Sequence, residues 1–547
     1  KFNYGQMLSQ TTGQNKIMNQ KTMKRTFWCD SCHVPIMGDT CLSCGTVARD
    51  ICAAALAPVF NPEIRYLKKR VDSSLHPFLK EGEVWIAPGK GTYYCQGVPV
   101  LKVVAGSGKA TTLIDPDKFQ PLQRTKKKQL EVLKRANKGY MEHLQYEAED
   151  FICQTIADFK GKTNMVSFSG GKDSTVVSHL VMSSIGRSDI LHIFADTSIE
   201  FPDTYDYLNQ FQYQHPLTPF VKTRSNLDFF KTANQIGPPS RILRWCCTTH
   251  KTNPLASLID SMSPKKGVLA FDGVRKAESP RRAGYPRISD KHKIAREILA
   301  RPILEWPDLA VWLYILIHQL EFNRAYKYGF RRVGCLYCPF NSDWSQNMIQ
   351  YRYPVKSRKW HRFLLGQATR MNHPNPENFA DQGWRARAGG KGLDHYKTNI
   401  ESIPCILSDN AVMYQLVNGD IHLVHHFLRP LGPQTMVNHD QFSLIFLIHD
   451  PKTKETLASV EVGFGDHAVR INFLLKKWRR LFQQRVEKQL KKMQACIFCG
   501  ACAAVCKTKA LESDGHFFVD PDKCKNCLSC VKFRCPVVKS LSYKGIN

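Results

Sequence analysis

One short run of small and polar residues, VSFSGGKDST at 166–175, has the composition of a phosphate-binding loop. The residues in it that can contact a phosphate or its metal ion are Ser169, Gly170, Gly171, Lys172, Asp173, Ser174 and Thr175. Glycines let successive backbone N–H groups point at one anion, and the positive end of a following helix adds to the attraction. The hydroxyls and the lysine can bind phosphate oxygens, and the aspartate can bind Mg²⁺ or cap the helix. The run lacks the GxxxxGK[ST] pattern of a Walker A motif, and a capped glycine-rich turn is the alternative interpretation.

Paired cysteines near the N-terminus have the spacing of a structural zinc site. The pattern C-x2-C-x8-C-x2-C is made by Cys29, Cys32, Cys41 and Cys44. Two such CxxC pairs place four thiolates in a tetrahedron, which completes the coordination of Zn²⁺ and leaves no open position for catalysis. We therefore expect a scaffolding zinc ribbon here, with four unligated thiols as the alternative.

Eight further cysteines near the C-terminus form two similar runs. They are Cys496, Cys499, Cys502 and Cys506, followed by Cys524, Cys527, Cys530 and Cys535. The order resembles that of bacterial two-cluster ferredoxins, in which the fourth cysteine of each run binds the other cluster. The resemblance implies one [4Fe–4S] cluster on Cys496, Cys499, Cys502 and Cys535, and a second on Cys524, Cys527, Cys530 and Cys506. One departure is Lys507, which stands where the family has proline; zinc binding is the alternative. Such a module relays single electrons.

Between these cysteine groups, residues 150–340 resemble one enzyme family. SFSGGKDST is similar to the pyrophosphate (PP) loop of the adenylating ATP pyrophosphatase superfamily, and ADTSIEFPDT at 195–204 resembles the second motif of its phosphoadenylyl-sulfate reductase branch. Four more blocks follow in that family's order: CCTTHKTNPL, DGVRKAESPRR, RPILEWPDLAVWLYI and RRVGCLYCPF. The resemblance implies a nucleotide site at the loop, with Asp196 near the nucleotide at the end of a strand.

The resemblance also implies a third cluster. Iron–sulfur members of the family bind one [4Fe–4S] beside the nucleotide with a Cys-Cys pair and a distant CxxC, which correspond here to Cys246, Cys247, Cys335 and Cys338. Adjacent cysteines do not readily form a disulfide with each other, and a reducing cytosol disfavours one. A second zinc site is the alternative.

Arginines in the DGVRKAESPRR block are candidates for binding the phosphate or sulfate. The planar guanidinium of Arg275, Arg281 or Arg282 can form bidentate hydrogen bonds to such groups, and Gly273 precedes them in the same block. We assign catalytic roles to Lys172, Asp173, Arg275 and Arg281 on this resemblance. Surface arginines without a ligand are the alternative for each.

The nucleophile of the reductases has no counterpart in the sequence. Those enzymes attack the sulfate sulfur with a cysteine in a Glu-Cys-Gly-x-His type tail, and no such tail follows Cys338. The cysteines outside the metal-binding patterns are Cys52, Cys95, Cys153 and Cys405. Only Cys405 follows the reductase-like segment, where it is a candidate nucleophile or a buried, inert thiol.

Composition supports a multidomain protein with an anionic partner. The chain has 547 residues and a net charge of 77 − 47 = +30, so we expect three or more domains and a nucleic acid, nucleotide or acidic protein as partner. A basic, soluble surface is the alternative. No apolar run is long enough for a membrane span and the N-terminus lacks a signal sequence, so we expect a cytoplasmic protein. Twenty cysteines in that compartment favour metal binding over disulfides.

The patterns around these motifs predict an α/β protein. Its parallel-sheet PP-loop core, of the adenine nucleotide alpha hydrolase type, would carry an N-terminal zinc ribbon and small β domain and a C-terminal α+β ferredoxin-like domain with two [4Fe–4S] clusters. The predicted units are a flexible tail (1–25), a zinc ribbon (26–50), a small β domain weakly similar to PUA domains (51–118), a basic helical linker (119–150), the reductase-like domain (151–345), a mixed α+β extension (346–490) and the ferredoxin domain (491–547). We expect basic helices at 124–146 and from Ile471 to contact nucleic acid, with solvated surface as the alternative.

We interpret the whole as an enzyme that uses ATP or adenylyl sulfate to activate a target, favouring nucleic acid, and then transfers sulfur to it. Transfer RNA thiolases and the reductase-like proteins of DNA phosphorothioation systems work by this logic. The cofactors would be three [4Fe–4S] clusters, Zn²⁺, Mg²⁺ and the nucleotide. A sulfur donor such as a cysteine desulfurase and an electron donor would be partners. The reductase family often forms homodimers, and the sequence leaves the oligomeric state open. The alternatives are a sulfonucleotide reductase and a non-catalytic, nucleic-acid-binding redox sensor.

Overall fold

The computed structural model describes residues 25–542 apart from 54, 117–119, 121, 263–265, 291–293, 394–399, 407, 418–419, 441–442, 464–466 and 476–477. Nearly all of the predicted tail, residues 1–24, therefore lies outside the described residues.

A small antiparallel sheet opens the described chain. Its strands are β1 (Thr26–Cys29), β2 (Val34–Ile36) and β3 (Arg49–Ala53), in the order β2-β1-β3. The turn between β1 and β2 contains Cys32, and the segment between β2 and β3 contains Cys41 and Cys44. Apolar side chains of β1 and β2 are all buried, so the hairpin holds the first two cysteines at one end.

A second antiparallel sheet follows and packs against the rest of the protein. Its strands are β4 (Ala57–Pro58), β5 (Val84–Ala87), β6 (Thr92–Cys95), β7 (Val98–Val103) and β8 (Ala110–Thr112), and α1 (Asn61–Lys68) lies between the first two. Fully buried Glu63 of α1 accepts a hydrogen bond of 2.7 Å from the Tyr93 hydroxyl and forms an ion pair with Arg331. This pair connects the small β unit to the segment that carries Cys335 and Cys338.

One long helix, α2 (Lys126–Asp158), links these sheets to the core. It begins at Thr125, whose hydroxyl accepts from the Lys128 N–H, and it continues well past residue 146, where the basic pattern in the sequence ends. Buried Asn137 accepts from the Met37 N–H at 3.1 Å and donates to the Pro35 carbonyl at 3.0 Å. One face of α2 is therefore covered by the cysteine-bearing hairpin.

The core is the predicted α/β unit with a largely parallel sheet. Six strands in the order β11-β10-β9-β12-β14-β13 pair in parallel, apart from the antiparallel edge strand β13. The strands are β9 (Thr163–Ser167), β10 (Leu191–Asp196), β11 (Phe220–Arg224), β12 (Val268–Phe271), β13 (Ile288–Ser289) and β14 (Glu297–Ala300). The helices are α3 (Lys172–Ile185), α4 (Pro202–Gln214), α5 (Phe229–Ile236), α6 (Trp245–Cys247), α7 (Asn253–Ser261), α8 (Pro280–Ala283) and α9 (Asp308–Ile317).

The core strands are apolar in sequence because their side chains are buried on both faces of the sheet. The central strand β12, VLAF, is buried throughout, as expected for a parallel strand covered by helices on both faces. The carboxyl ends of β9, β10 and β12 lie at one edge of the sheet, where ligands of open α/β sheets bind. The motifs at 168–175, 196–200 and 272–282 follow these three strand ends.

Helices and a second six-stranded sheet follow the core. The helices are α10 (Asp343–Arg352), α11 (Pro354–Arg370), α12 (Pro376–Asp381), α13 (Val424–Leu428) and α14 (Arg479–Gln494). The antiparallel sheet has the order β15-β16-β20-β19-β18-β17 and consists of β15 (Glu401–Pro404), β16 (Ala411–Gln415), β17 (Gln434–His439), β18 (Ser443–His449), β19 (Thr456–Gly463) and β20 (Ala468–Phe473). The prediction of a helix from Ile471 is wrong at its start, because Ile471 pairs with Val460 and Val412 within β20.

The C-terminal cysteine-rich unit is built from short elements. They are β21 (Leu511–Glu512), β22 (Phe518–Val519), α15 (Ser529–Lys532) and α16 (Pro536–Leu541). The unit packs directly on the core: a Cβ on Gly500 would lie 2.3 Å from the Asn253 side chain, and Lys509 donates to the Asp260 carbonyl at 2.8 Å. Among the described residues, every helix is too short or too polar to cross a bilayer.

Candidate functional site

The glycine-rich loop after β9 is held by its own hydroxyl groups. Gly170 has a φ of 69°, in the left-handed region that favours glycine, and Gly171 caps α3. The Ser174 hydroxyl accepts from the Ser169 N–H at 3.2 Å and donates to the Gly171 carbonyl at 2.9 Å, and Thr175 donates to the same carbonyl at 3.1 Å. Ser174 and Thr175, predicted phosphate donors, thus shape the loop in this structure, whereas Ser169 is exposed.

Two residues that the sequence did not single out fix the loop from the far side. The Asn323 side chain donates to the Gly170 carbonyl at 3.2 Å, and the Tyr326 hydroxyl accepts from the Lys172 N–H at 3.1 Å. Both lie in the segment just before RRVGCLYCPF. No local pattern in the mixed polar and aromatic stretch around them marked either residue.

Gly273 lies against the start of α3. A Cβ at this position would be 2.8 Å from the Asp173 carbonyl carbon and 2.9 Å from the Ser174 nitrogen. Distances this short exclude any side chain without movement of the backbone. The DGVR segment after β12 thus positions the first turn of α3 through direct backbone contact.

Four charged side chains form a buried network beside the loop. Lys172 lies 3.0 Å from Asp173 and 3.2 Å from Asp308, and Arg275 contacts the same two carboxylates at 2.6 Å each. Only 6% of the Lys172 side chain and 2% of the Arg275 side chain are exposed. Burial alone would raise the pKa of Asp308, but the two cations outweigh it and hold that pKa below its usual range. The two carboxylates and the two cations therefore alternate in space, so that each charge lies beside an opposite one.

Asp308 was missed by the sequence interpretation, although it lies in the RPILEWPDLAVWLYI block. It is the first residue of α9, where a carboxylate is favoured by the helix dipole. An acidic residue directly after Trp-Pro, at the start of an apolar helix, was the signal. Through its contacts with Lys172 and Arg275, Asp308 links the RPILEWPDLAVWLYI block to the glycine-rich loop.

The three predicted anion-binding arginines lie in different environments. Arg275 is buried and engaged with carboxylates, and it also donates to the Trp306 carbonyl at 3.1 Å. Arg282 forms an ion pair with Glu278. Arg281 is exposed, and its side chain forms no ion pair with any other described residue. In this structure, Arg281 alone among the three is free to meet an anion.

Asp196 lies at the end of β10, with each carboxylate oxygen already engaged. One oxygen accepts from the Ser198 N–H at 2.8 Å and from the Tyr205 hydroxyl at 2.7 Å. The other accepts from the Arg224 guanidinium at 2.6 Å. Direct coordination of Mg²⁺ by this carboxylate would require these contacts to open.

The structure brings together Cys246, Cys247, Cys335 and Cys338. Hydrogen bonding between Cys246 and Cys247 raises the pKa of the first thiol, and the charges of Cys335 and Cys338 raise it further. The Arg244 guanidinium lies 3.6 Å from the Cys247 sulfur. A four-thiolate set beside a cation has the donors and the charge compensation that a [4Fe–4S] cluster requires.

A backbone contact joins this cysteine quartet to the end of β10. Glu200 and Cys335 form an isolated antiparallel bridge, and the Leu336 N–H donates to the Ile199 carbonyl at 2.7 Å. The Thr197 hydroxyl lies 3.4 Å from the Cys335 sulfur, and Lys251 pairs with Glu200 at 3.3 Å. The loop that begins at Asp196 is thus continuous with the cysteine quartet.

The N-terminal cysteines converge as a metal site requires. The four sulfurs of Cys29, Cys32, Cys41 and Cys44 all lie within 4.8 Å of one another. Three of the four residues are buried, and the Arg124 guanidinium fastens the turn by donating to the Cys32 carbonyl at 2.7 Å. The donor set and its compactness fit a structural Zn²⁺ ion.

Cysteines of the two C-terminal runs influence one another across the unit. Burial raises the pKa of Cys499, and the charges of Cys535, Cys502 and Cys496 add to the increase. Burial likewise raises the pKa of Cys530 to about 12, and the charges of Cys502, Cys506 and Cys524 add to that increase. A cavity is lined by Cys506, Cys524, Cys527 and Cys530. Cys535 of the second run therefore lies near the first run, Cys506 of the first lies with the second, and such thiolate groups have the donors that iron–sulfur clusters require.

Other cysteines lie away from these groups. Cys95 is buried in β6, where burial raises its pKa to about 12. Cys153 is exposed on α2, and half-buried Cys405 follows β15 in the second sheet, where its N–H donates to the Ala411 carbonyl. Cys405 belongs to a different unit from the glycine-rich loop.

Comparisons with known proteins find similarity in the α/β core of the chain. Residues 163–341 match the model of the phosphoadenosine phosphosulfate reductase domain. An uncharacterised protein of Methanocaldococcus jannaschii is 34% identical over 242 residues, which are 44% of this chain and 49% of that protein. The adenosine 5′-phosphosulfate reductase of Staphylococcus saprophyticus is 25% identical over 184 residues, 33% of this chain and 72% of the enzyme.

The match takes in about half the length of the two M. jannaschii relatives, 49% and 54%. Among solved structures, the phosphoadenylyl-sulfate reductase of Candida auris covers 36% of this chain at 15% identity with a TM-score of 0.28. The chain therefore contains a reductase-type domain with adenosine 5′-phosphosulfate reductases as homologues at low identity.

Proposed function

We propose that this protein is a nucleotide-dependent, iron–sulfur enzyme that activates a nucleic-acid target by adenylation and then transfers sulfur to it. The observation that carries the proposal is the Glu200–Cys335 bridge, because it joins the loop after Asp196 to the cysteine quartet. An adenylyl nucleotide at the glycine-rich loop would thus lie at the same edge of the parallel sheet as the segment joined to the quartet. The matched reductase domain supports adenylyl nucleotide as the ligand class.

In the proposed reaction, an oxygen of the target attacks the α-phosphate of ATP, and the bond to the departing pyrophosphate breaks. Sulfur at the sulfide level then forms a bond to the activated centre, and AMP leaves with the original oxygen. The chain's own contribution is to bind and orient: the N-terminus of α3 would face the phosphates, and exposed Arg281 is available to neutralise charge.

The ion network beside the loop has a defined part in this proposal. Lys172 is held at the phosphate-binding end of α3 by two carboxylates, Asp173 and Asp308. Arg275 balances the second charge of that acidic pair. A bound triphosphate would compete with the carboxylates for Lys172, and a Mg²⁺ ion would bind the carboxylate released.

Metals complete the proposed enzyme. Cys246, Cys247, Cys335 and Cys338 would hold one [4Fe–4S] cluster, the eight C-terminal cysteines two more, and the N-terminal four a Zn²⁺ ion. The clusters, when bound, supply one-electron transfers. A sulfur donor and an electron donor are then required as partners.

The second candidate is reduction of adenylyl sulfate, which the similarity to several curated adenosine 5′-phosphosulfate reductases favours. One assay separates the two. The metal-loaded protein is incubated under reducing conditions with ATP plus RNA or DNA, and separately with adenylyl sulfate. Pyrophosphate release stimulated by nucleic acid supports the first function, and sulfite release supports the second. A protein that yields neither product but binds nucleic acid would be a redox-responsive binding protein instead.

A further inference from the structure

Helix α11 carries a charge excess that the sequence interpretation did not use. No acidic residue occurs between Asp343 and Glu377, whereas this stretch contains six lysines and arginines. Buried Trp360 and Leu364 face the core, and Arg358, Lys359 and Arg362 are exposed. Residues three and four apart share one side of a helix, so these three cations form a single stripe.

The two arginines of the stripe have no acidic partner within the described part of the chain. His361 lies between them in sequence and takes the nearby carboxylates itself, with Asp381 at 3.1 Å and Glu377 at 3.9 Å. A cleft of about 510 Å³ opens beside them, lined by Gln350, Pro354, Ser357, Arg358, His361, Arg362 and Asp381. Unpaired guanidinium groups at the edge of a cleft suit an anionic ligand.

An exposed aromatic ring stands just before the stripe. Tyr351 is 46% exposed at the end of α10, and its ring is supported edge-on by Tyr66 at 4.9 Å. The Arg70 guanidinium lies 3.6 Å from the Tyr66 ring and 5.8 Å from the Tyr351 ring. An exposed ring held beside a guanidinium is an arrangement on which nucleic-acid bases stack while phosphates meet the positive charge.

The helix that carries the stripe packs against the CxxC segment of the cysteine quartet. Tyr337, between Cys335 and Cys338, stacks on Trp360 of α11 with ring centres 4.8 Å apart and planes 14° apart. Its hydroxyl also donates to the Lys356 carbonyl at 3.3 Å. The helix that carries the stripe therefore packs directly on the segment that carries two of the quartet's cysteines.

The two basic helices that the sequence predicts to contact nucleic acid are less available to a ligand than α11. On α2, Lys134 and Lys138 have acidic neighbours in Glu131 and Glu142, and one face packs on the zinc-type hairpin. On α14, Lys492 is buried and donates to the Cys530 carbonyl at 2.7 Å.

We propose that Tyr351, Arg358, Lys359 and Arg362, the α11 surface, bind a single nucleic-acid strand and direct it to the cysteine quartet. This inference rests on the proposed function, in which nucleic acid is the target. The arginines and the lysine neutralise phosphates, and the tyrosine stacks on a base. Flexible single strands fit because a duplex keeps its bases out of reach of an aromatic platform.

The test measures binding of fluorescent single-stranded RNA, the matching single-stranded DNA and the duplex, by anisotropy at several salt concentrations. The triple variant Arg358→Gln/Lys359→Gln/Arg362→Gln should bind single strands at least about tenfold more weakly, with a salt slope smaller by about two, as loss of three phosphate contacts requires. The control triple Lys127→Gln/Lys128→Gln/Arg135→Gln removes equal charge from exposed positions of α2 and should stay within about twofold of wild type.

A second variant separates stacking from charge. Tyr351→Leu keeps an apolar side chain against Tyr66 and should weaken strand binding about fivefold or more while leaving the salt slope unchanged. Equal losses in the two triples, wild-type binding by the α11 triple, or tighter binding of duplex than of single strands would overturn the proposal. RNA and DNA arms identify which strand is preferred.

Failure of this inference and failure of the proposed function give different results. Without nucleotide chemistry, wild-type protein would release no pyrophosphate, but the two triples would still differ in strand binding. With a wrong surface, pyrophosphate release would remain and the two triples would bind alike. Thermal midpoints and iron content of every variant show whether it has folded.

Discussion

Glu200 and Cys335 face each other across a single antiparallel bridge, although 135 residues separate them in the chain. One partner follows the strand that ends in Asp196, and the other is the first cysteine of the CxxC pair. The same contact is reinforced by the Thr197 hydroxyl, 3.4 Å from the Cys335 sulfur. A displacement of Cys335 would therefore also move the loop after β10.

The cysteine groups predict separable metal contents. Wild-type protein prepared without oxygen should contain about twelve irons and about one zinc per chain. Cys338→Ala should remove about four irons and leave zinc in place, because it breaks only the central quartet. Cys41→Ala, the matched control, should remove the zinc and leave the iron. Metal analysis of both variants checks this, and loss of zinc from Cys338→Ala would contradict the assignment.

Neutralising Asp308 should destabilise the protein strongly. Asp308→Asn leaves Lys172 and Arg275 buried with one carboxylate between them, and removing one partner of a buried ion pair costs about 3 kcal/mol or more. The thermal midpoint should fall by about 6 °C or more. Asp189→Asn breaks an exposed pair with Arg187 and should change the midpoint by only about 1–2 °C. Equal shifts would argue against a buried network.

Adding one methyl group at Gly273 should impair the loop. In Gly273→Ala the Cβ would press on the backbone of Asp173 and Ser174, and overpacking of this kind costs about 1–3 kcal/mol. We expect ATP binding, measured by calorimetry, to weaken about tenfold. Gly366→Ala is the control: its Cβ meets nothing within 4 Å on α11, and it should stabilise the helix by about 0.5–1 kcal/mol. Unchanged ATP affinity in Gly273→Ala would remove the loop from the binding site.

Buried His192 should make stability depend on pH below neutrality. Its Nδ1 donates to the Ile190 carbonyl at 2.7 Å, its Nε2 accepts from the Ser178 hydroxyl at 2.8 Å, and burial lowers its pKa to about 4. The unfolded chain, with a histidine pKa of about 6.5, binds more protons between these values. The stabilisation is complete above about pH 6.5 and falls by about 1.4 kcal/mol per pH unit down to about pH 4.

Replacement of this histidine tests that dependence. His192→Gln keeps hydrogen-bonding capacity without a titrating ring, so its thermal midpoint should fall less steeply than that of wild type between pH 6.5 and pH 4. Identical slopes for the two proteins would show that His192 is not the group responsible.

Sequence patterns were sufficient for the parts of the fold set by local order. The apolar runs before SFSGGKDST and ADTSIE correspond to β9 and β10, and a parallel sheet was expected from their alternation with helices. Ile471 shows the limit: a basic amphipathic helix does follow, but it begins only at Arg479, and the alternating burial of β20 decides the structure around Ile471. Periodicity alone does not locate that boundary.

The candidate site was predictable in its residue types but not in its contacts. Spacing was enough to group the four N-terminal cysteines, whose sulfurs lie within 4.8 Å of one another, because metal ligation restricts the possible patterns. No local pattern could show that Arg275 would turn to Asp173 and Asp308 instead of outwards, since Asp308 is 33 residues away in the chain. For the same reason the sequence could not show that the arginines of α11 lack acidic partners: the nearby carboxylates of Asp381 and Glu377 contact His361 instead.

Gly500 meets Asn253 so tightly that even a methyl group would not fit between them, and Lys539 of the last helix donates to the Ile242 carbonyl at 2.7 Å. These contacts fix the terminal unit on the core. Under the proposed function, a reductant for the terminal cysteines would therefore have to dock on a stationary surface, because the unit that would receive its electrons is anchored to the core.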